Sequence, residues 1–242
     1  MKLNICWMYH DLMDLYGDKG NIQVLKTRCL ERGIECNVDF CDIGEIRDLS
    51  EYDLLFIGGG ADKEQAILID DLLSRKENIQ KAMDSNTFIL LICGGYQMFG
   101  QYYLNGDGEK IDCLGFFDYY TESASRDIRC TGNIVVETNI TGESVKVVGF
   151  ENHGGQTKNN SKPFGKVLAG HGNTFKAGFE GYYDGKVLGT YMHGPLLPKN
   201  PRIADFVIKK ALSKRYENVV LEALDDTLET RANEVMLGRI LK

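Results

Sequence analysis

The chain has 242 residues, 43% of them hydrophobic, enough to bury a sizeable core as one large α/β domain or two small ones. A formal net charge of -7 argues against a nucleic-acid binder or a membrane-surface protein, while leaving room for an anionic substrate held locally. No apolar run approaches the roughly 18 residues of a membrane helix, and the N-terminal Met1-Lys2-Leu3-Asn4-Ile5-Cys6 is too polar for a signal peptide, so a cytoplasmic protein without a transmembrane segment is expected.

Residues 3–9 read as a first buried strand. The loop Asp14-Leu15-Tyr16-Gly17-Asp18-Lys19-Gly20-Asn21 leads to a helix with Ile22, Leu25 and Cys29 on one face and a stop at Gly33. Residues 35–40 form a second strand, and residues 53–57 a third, running into Gly58-Gly59-Gly60. Asp62, with Gln65 three residues on, has the spacing of a capping box at the start of a long helix whose inner face carries Ile69, Leu72, Leu73, Ile79 and Met83. The run Phe88-Ile89-Leu90-Leu91-Ile92 follows and ends at Cys93-Gly94-Gly95. Short, wholly apolar strands alternating with helices predict a parallel sheet covered on both faces.

After Tyr103 the texture changes. Residues 114–120, 133–137 and 145–150 read as antiparallel strands at the edge of the sheet or packed beside it. Residues 186–192 form a last strand that runs into His193. Asn200-Pro201 opens a helix with Ile203, Phe206 and Val207 inward, and an amphipathic helix from about Asp226 carries Leu228, Ala232 and Val235. With no repeat and no linker, the expectation is one α/β domain spanning residues 1–242: a mostly parallel open sheet, helices on both faces, antiparallel edge strands.

The seven cysteines, Cys6, Cys29, Cys36, Cys41, Cys93, Cys113 and Cys130, are odd in number and include no C-x-x-C pair. That disfavours a disulfide framework or a structural zinc site, and no metal is expected. Cys93 differs from the rest because an apolar strand stops at it and turns through two glycines, the arrangement of a nucleophile elbow. A thiol at a helix N-terminus is favoured as thiolate. Histidine can act as base and acid near neutral pH, and His193 ends another apolar strand. An oxyanion needs backbone N–H donors with no side chain in the way, which Gly59, Gly60 and Gly94 can supply. Taken singly, each has a plainer reading: a turn, a core thiol, a packed histidine. Together, at three strand ends, they point to chemistry.

Cys93-Gly94-Gly95-Tyr96-Gln97 matches the C-x-G-x-Q elbow of class I (triad-type) glutamine amidotransferases. Within them the chain resembles the cobyric-acid-synthase-like branch and, more narrowly, the glutaminase subunits of lipid II isoglutaminyl synthases. The segments that carry the closer likeness are Ile57-Gly58-Gly59-Gly60-Ala61-Asp62-Lys63-Glu64-Gln65, Tyr120-Thr121-Glu122-Ser123, Gly149-Phe150-Glu151-Asn152-His153-Gly154-Gly155 and His193-Gly194-Pro195-Leu196-Leu197-Pro198-Lys199-Asn200. The resemblance implies a flavodoxin-like class I amidotransferase fold, with Cys93 as nucleophile and His193 as general base and acid. It places the glutamine-binding arginine on Arg129, with Arg126 as the neighbouring alternative, and gives Gln97 a role in lining the pocket or steadying the elbow.

One position departs from the superfamily pattern. A glutamate usually lies two residues after the histidine; Pro195 stands there, as the cobyric-acid branch also lacks it. Glu151 is open for the third role, with structural hydrogen bonding within its own loop as the alternative reading of that residue, and a carboxylate from a partner is a further candidate. His153 is a second candidate base or a wall of the site. The resemblance further implies a glutaminase without a cofactor of its own, paired with a Mur-ligase-like (MurT-type) subunit. That subunit would bind ATP and Mg and amidate the stem D-glutamate of lipid II, for peptidoglycan. A cobyric-acid-type glutaminase component and a non-catalytic regulatory or scaffold relative are the alternatives.

Overall fold

The structure is a computed structural model that describes residues 1–123 and 128–242. The apolar runs of the first half become strands separated by helices: β1 (Lys2–Met8), α1 (Lys19–Leu30), β2 (Glu35–Cys41), β3 (Leu54–Ile57), α2 (Asp62–Ser74), α3 (Lys76–Asp84), β4 (Phe88–Ile92) and the one-turn α4 (Gly94–Gln97). Eight short strands follow: β5 (Tyr102–Leu104), β6 (Lys110–Asp112), β7 (Tyr120–Ser123), β8 (Cys130–Thr138), β9 (Val145–His153), β10 (Gly155–Lys158), β11 (Gly165–Ala169) and β12 (Phe179–Glu180). The chain then returns through β13 (Tyr182–Tyr183) to β14 (Val187–Thr190) and finishes in α5 (Pro201–Leu212) and α6 (Thr227–Ile240).

The main sheet has the order β13-β14-β4-β3-β1-β2, parallel throughout except for β13 at its edge. Strands β3, β4 and β14 are buried at every position, so both faces are covered. The chain leaves β1 toward β2 on one side and β3 on the other. That reversal opens a crevice at the carboxyl ends, where open α/β sheets place their ligands.

Two further four-stranded sheets, β10-β7-β5-β6 and β12-β11-β8-β9, stand beside it. One of them is tied to the main sheet at a telling place. Phe150 of β9 bridges antiparallel to His193, with its N–H donating to the His193 carbonyl at 3.1 Å and the His193 N–H donating back at 2.8 Å.

Four expectations need correction. Residues 114–119 are not a strand: the amides of Leu114, Gly115 and Phe116 donate to the carbonyls of Met98, Gly100 and Phe99, so the turn after α4 satisfies them instead. The capping box does not form. Ala61 is the N-cap, Asp62 accepts from the Tyr103 hydroxyl at 3.0 Å, and Gln65 Nε2 reaches the Gly60 carbonyl at 3.1 Å. The long helix is broken at Arg75, whose guanidinium donates to Asp71 and to the carbonyls of Asp42 and Glu45. Finally, α6 has no buried residue; Leu228 is 79% exposed where the periodicity points it inward. Met236, Leu237 and Ile240 are only partly buried, and Asn233 Nδ2 donates to the Lys199 carbonyl at 2.8 Å. Among the described residues no helix is long and apolar enough to cross a membrane.

Because Leu90 is fully buried in a central strand, Leu90→Ala should cost about 2–5 kcal/mol of stability in urea unfolding, as cavity-forming substitutions do. A loss below about 1 kcal/mol would mean that β4 is not a packed core strand.

Candidate active site

Four segments meet at the carboxyl edge of the main sheet: the loop after β1, Gly58-Gly59-Gly60 after β3, Cys93 after β4, and His193 just beyond β14. Cys93 sits at φ 50°, ψ -103°, a region that residues with side chains avoid. Its N–H donates to the Thr190 carbonyl at 2.7 Å and its carbonyl accepts from Gln97 N at 2.9 Å, so neighbouring strand and helix hold the turn in place. Gly95 lets the turn fit, since a Cβ there would lie 2.8 Å from the Ile57 carbonyl oxygen. Backbone strain of this kind is worth roughly 1–3 kcal/mol and persists only where the surroundings over-determine it.

His193 is fully buried, and its Nδ1 lies 3.3 Å from Oδ1 and 3.2 Å from Oδ2 of Asp18, itself fully buried. Nε2 is left on the other side of the ring, where among the described residues no partner of hydrogen-bond geometry reaches it. Cys93 is close enough to act on the imidazole electrostatically. Burial, the largest influence, pushes the His193 pKa down. Charge on the Cys93 sulfur and the contact with Asp18 outweigh it, and the pKa ends raised from its ordinary 6.5 to about 10.

Asp18 Oδ2 also accepts from the Gly59 N–H at 2.8 Å. This corrects the expectation for Gly59 as an oxyanion donor, because its amide is already committed to the carboxylate that holds the histidine. The Gly60 and Gly94 amides have no acceptor among the described residues and stay available. Gly59 is nonetheless required to be small: a Cβ there would lie 2.5 Å from His193 Cε1 and 3.4 Å from Cys93 Cβ.

Glu151 does not reach His193. Its two carboxylate oxygens accept from the backbone N–H of His171 at 2.7 Å and of Gly172 at 2.9 Å, which fixes the turn after β11. The position expected of it beside the histidine is occupied by Asp18. His153 stacks on Tyr191 with ring centroids 3.7 Å apart, and its Nδ1 lies 2.7 Å from the Gly155 carbonyl oxygen, so it forms a wall.

A cavity of about 430 Å³ opens beside Cys93 and is lined among others by Tyr16, Gly60, Gln97, Arg129 and His153. Gln97 lines this space, accepts from Gln65 Nε2 and donates to the Tyr191 hydroxyl, each at 3.2 Å. Arg129 stands at the rim, donating from Nε to Asn152 Oδ1 at 2.7 Å and from Nη2 to the Asn152 carbonyl at 2.8 Å. Arg126 lies outside the described residues. A larger cavity of about 710 Å³, between α1 and the stretches around Pro195 and Asp225, touches neither Cys93 nor His193.

The family model for the CobB/CobQ-like glutamine amidotransferase domain matches residues 4–201. The chain belongs to this family. It is 38% identical over 238 residues to the glutamine-hydrolysing lipid II isoglutaminyl synthase subunit GatD of Staphylococcus aureus, covering 98% of this chain and 96% of that one. To the corresponding subunit of Streptococcus pneumoniae it is 37% identical, covering 96% and 90%. Similarity to the cobyric acid synthase of Listeria innocua is 32% over 163 residues, 62% of this chain but 30% of that protein. A crystal structure of a glutamine amidotransferase superposes with a TM-score of 0.52 at 14% identity, covering 85% of this chain and 98% of that one, a likeness of fold alone.

Asp18 is the site residue that sequence reasoning missed. The available signal was positional: an acid in the loop after the first strand, next to the point where the strand order reverses.

Two outcomes follow from this geometry. A group whose pKa is raised on folding stabilises fully below its unfolded value and loses that contribution as pH climbs through its folded value. The stabilisation from His193 is thus complete below about 6.5 and gone above about 10. In Asp18→Asn the imidazole should titrate at lower pH by NMR, and the fall in urea stability across that window should flatten; an unchanged midpoint would remove Asp18 from the account. Gly59→Ala should cut glutamine hydrolysis steeply by pushing the ring off Cys93, and wild-type turnover in that variant would show that the close approach is not there.

Proposed function

We propose that this chain is the glutaminase subunit of a lipid II isoglutaminyl synthase. The observation that carries the reading is the extent of the match. The two GatD subunits match it over 96% and 90% of their own length, whereas the cobyric acid synthase is a longer protein matched over 30% of its length. On this reading residues 1–242 work as one glutaminase domain in the cytoplasm. A Mur-ligase-like, MurT-type subunit supplies the ATP and Mg chemistry and amidates the stem D-glutamate of lipid II.

His193 Nε2 takes the proton of the Cys93 thiol as Sγ attacks the side-chain amide carbon of glutamine, and the oxyanion is met by the amides of Gly60 and Gly94. As the C–N bond breaks, His193 Nε2 delivers its proton to the leaving nitrogen, and ammonia departs. Water then attacks the γ-glutamyl thioester while Nε2 takes a proton from it. The C–S bond breaks and glutamate is released. Asp18 keeps the ring oriented through Nδ1 and stabilises its charged form. Arg129 takes the α-carboxylate of glutamine, a task suited to a planar fork of donors.

The test uses the chain purified with its ligase subunit. Cys93→Ala should lower glutamate release by at least about a thousandfold, as removal of a nucleophile does. Lipid II amidation from glutamine should stop, and an excess of ammonium salt should restore it. Glutamate release at the wild-type rate in Cys93→Ala would end the nucleophile assignment, and failure of ammonium to restore amidation would count against the division of labour.

A further inference from the structure

The side chain of Asn152 sits at the centre of a set of contacts that the mechanism above does not use. Its Oδ1 accepts from Arg129 Nε at 2.7 Å and from Thr131 Oγ1 at 3.2 Å, and its own carbonyl accepts from Arg129 Nη2 at 2.8 Å. Its Nδ2 donates to the Tyr16 hydroxyl. Tyr16 adopts a left-handed φ of 57° and lays its ring edge-on against His193, with centroids 5.1 Å apart, and against Phe150 at 6.1 Å. Phe150 is the residue whose backbone pairs with that of His193. Tyr16, Arg129 and Asn152 all line the cavity that holds Cys93.

The chemistry of arginine gives this arrangement a consequence. A guanidinium presents five N–H donors in a fixed fork. Asn152 occupies the side of the fork formed by Nε and Nη2. The donors that remain beyond this clasp are those of the end, Nη1 with the second hydrogen of Nη2. A guanidinium clasped along one side is held against swinging, and its end is a matched pair for one carboxylate.

We propose that Asn152 is a positioning residue for the amino-acid end of glutamine. It clasps the side of the Arg129 fork so that the end faces the α-carboxylate, and it ties that anchor through Tyr16 to the ring of His193. The inference rests on Arg129 being the carboxylate anchor, as proposed above. One amide thereby sets the distance between the place where the substrate's carboxylate is held and the place where its side-chain amide is cut. A hydroxyl that accepts from Nδ2 also keeps its own proton, which Tyr16 can offer to a group in the cavity.

The experiment is a double-mutant cycle on the chain with its ligase subunit, using Asn152→Ala, Arg129→Ala and both together. Asn152→Ala should raise KM for glutamine about tenfold or more, the scale of a charge-assisted hydrogen bond, with a much smaller fall in kcat. In the Arg129→Ala background the same change should add little, because the group it positions is gone. Alkylation of Cys93 gives the structural control. A glutamine-shaped chloroketone should react more slowly in Asn152→Ala, and iodoacetamide, which has no amino-acid end, should react as in the wild type. If Arg129→Ala raises KM and Asn152→Ala does not, the positioning role is overturned while the anchor stands. If Arg129→Ala leaves KM unchanged, the anchor itself is wrong. Equal slowing of both alkylating agents would mean that Asn152 merely holds the site's shape, which also overturns the proposal.

Discussion

The carboxylate of Asp18 is the point on which the site depends. It is fully buried, and three parts of the chain converge on it: the loop after β1 that carries it, the Gly59 amide after β3, and the His193 ring beyond β14. A buried charge is tolerated only when its neighbours satisfy it. Here a backbone N–H and the imidazole Nδ1 do so together. Removing either would leave the other partner of an ionised group stranded away from water, so fold and chemistry constrain each other at this atom group.

The rest of the site is arranged around close approach. His193 Cε1 sits where any side chain at Gly59 would collide with it, and the elbow at Cys93 turns in a backbone region that only strong flanking hydrogen bonds can hold. The parallel strands place these groups on one edge because each loop leaves the sheet at the same end. The β8–β9 sheet then closes the other side. Its bridge from Phe150 to His193 makes the outer wall of the cavity continuous with the catalytic segment; Asn152 rides on the same strand pair, and Arg129 immediately precedes it.

Much of the main sheet was legible because its strands are short, wholly apolar and bounded by glycine, a pattern that depends on neighbours in the chain. The Cys93 elbow was legible for the same reason: strand, thiol and two glycines are consecutive. What misled was side chains with two possible partners. Gln65 has the spacing of a capping residue, yet it turns to the Gly60 carbonyl and Gln97. Glu151 has the charge to orient a histidine, yet the turn at His171 and Gly172 takes both of its oxygens. Leu228 has helical periodicity, yet it lies 79% exposed.

The sequence by itself determined the alternating α/β frame, the placement of a thiol and an imidazole at strand ends, and the absence of a side chain wherever backbone must come near. These are local properties, written in stretches of a few residues. Only the tertiary structure decided that Asp18, 175 positions from His193, is the group that holds it, and that the Gly59 amide serves Asp18 rather than an oxyanion. Which carboxylate meets which ring is a matter of strand order and loop direction, since a buried ion pair forms wherever packing leaves two unsatisfied groups within reach, regardless of their separation along the chain.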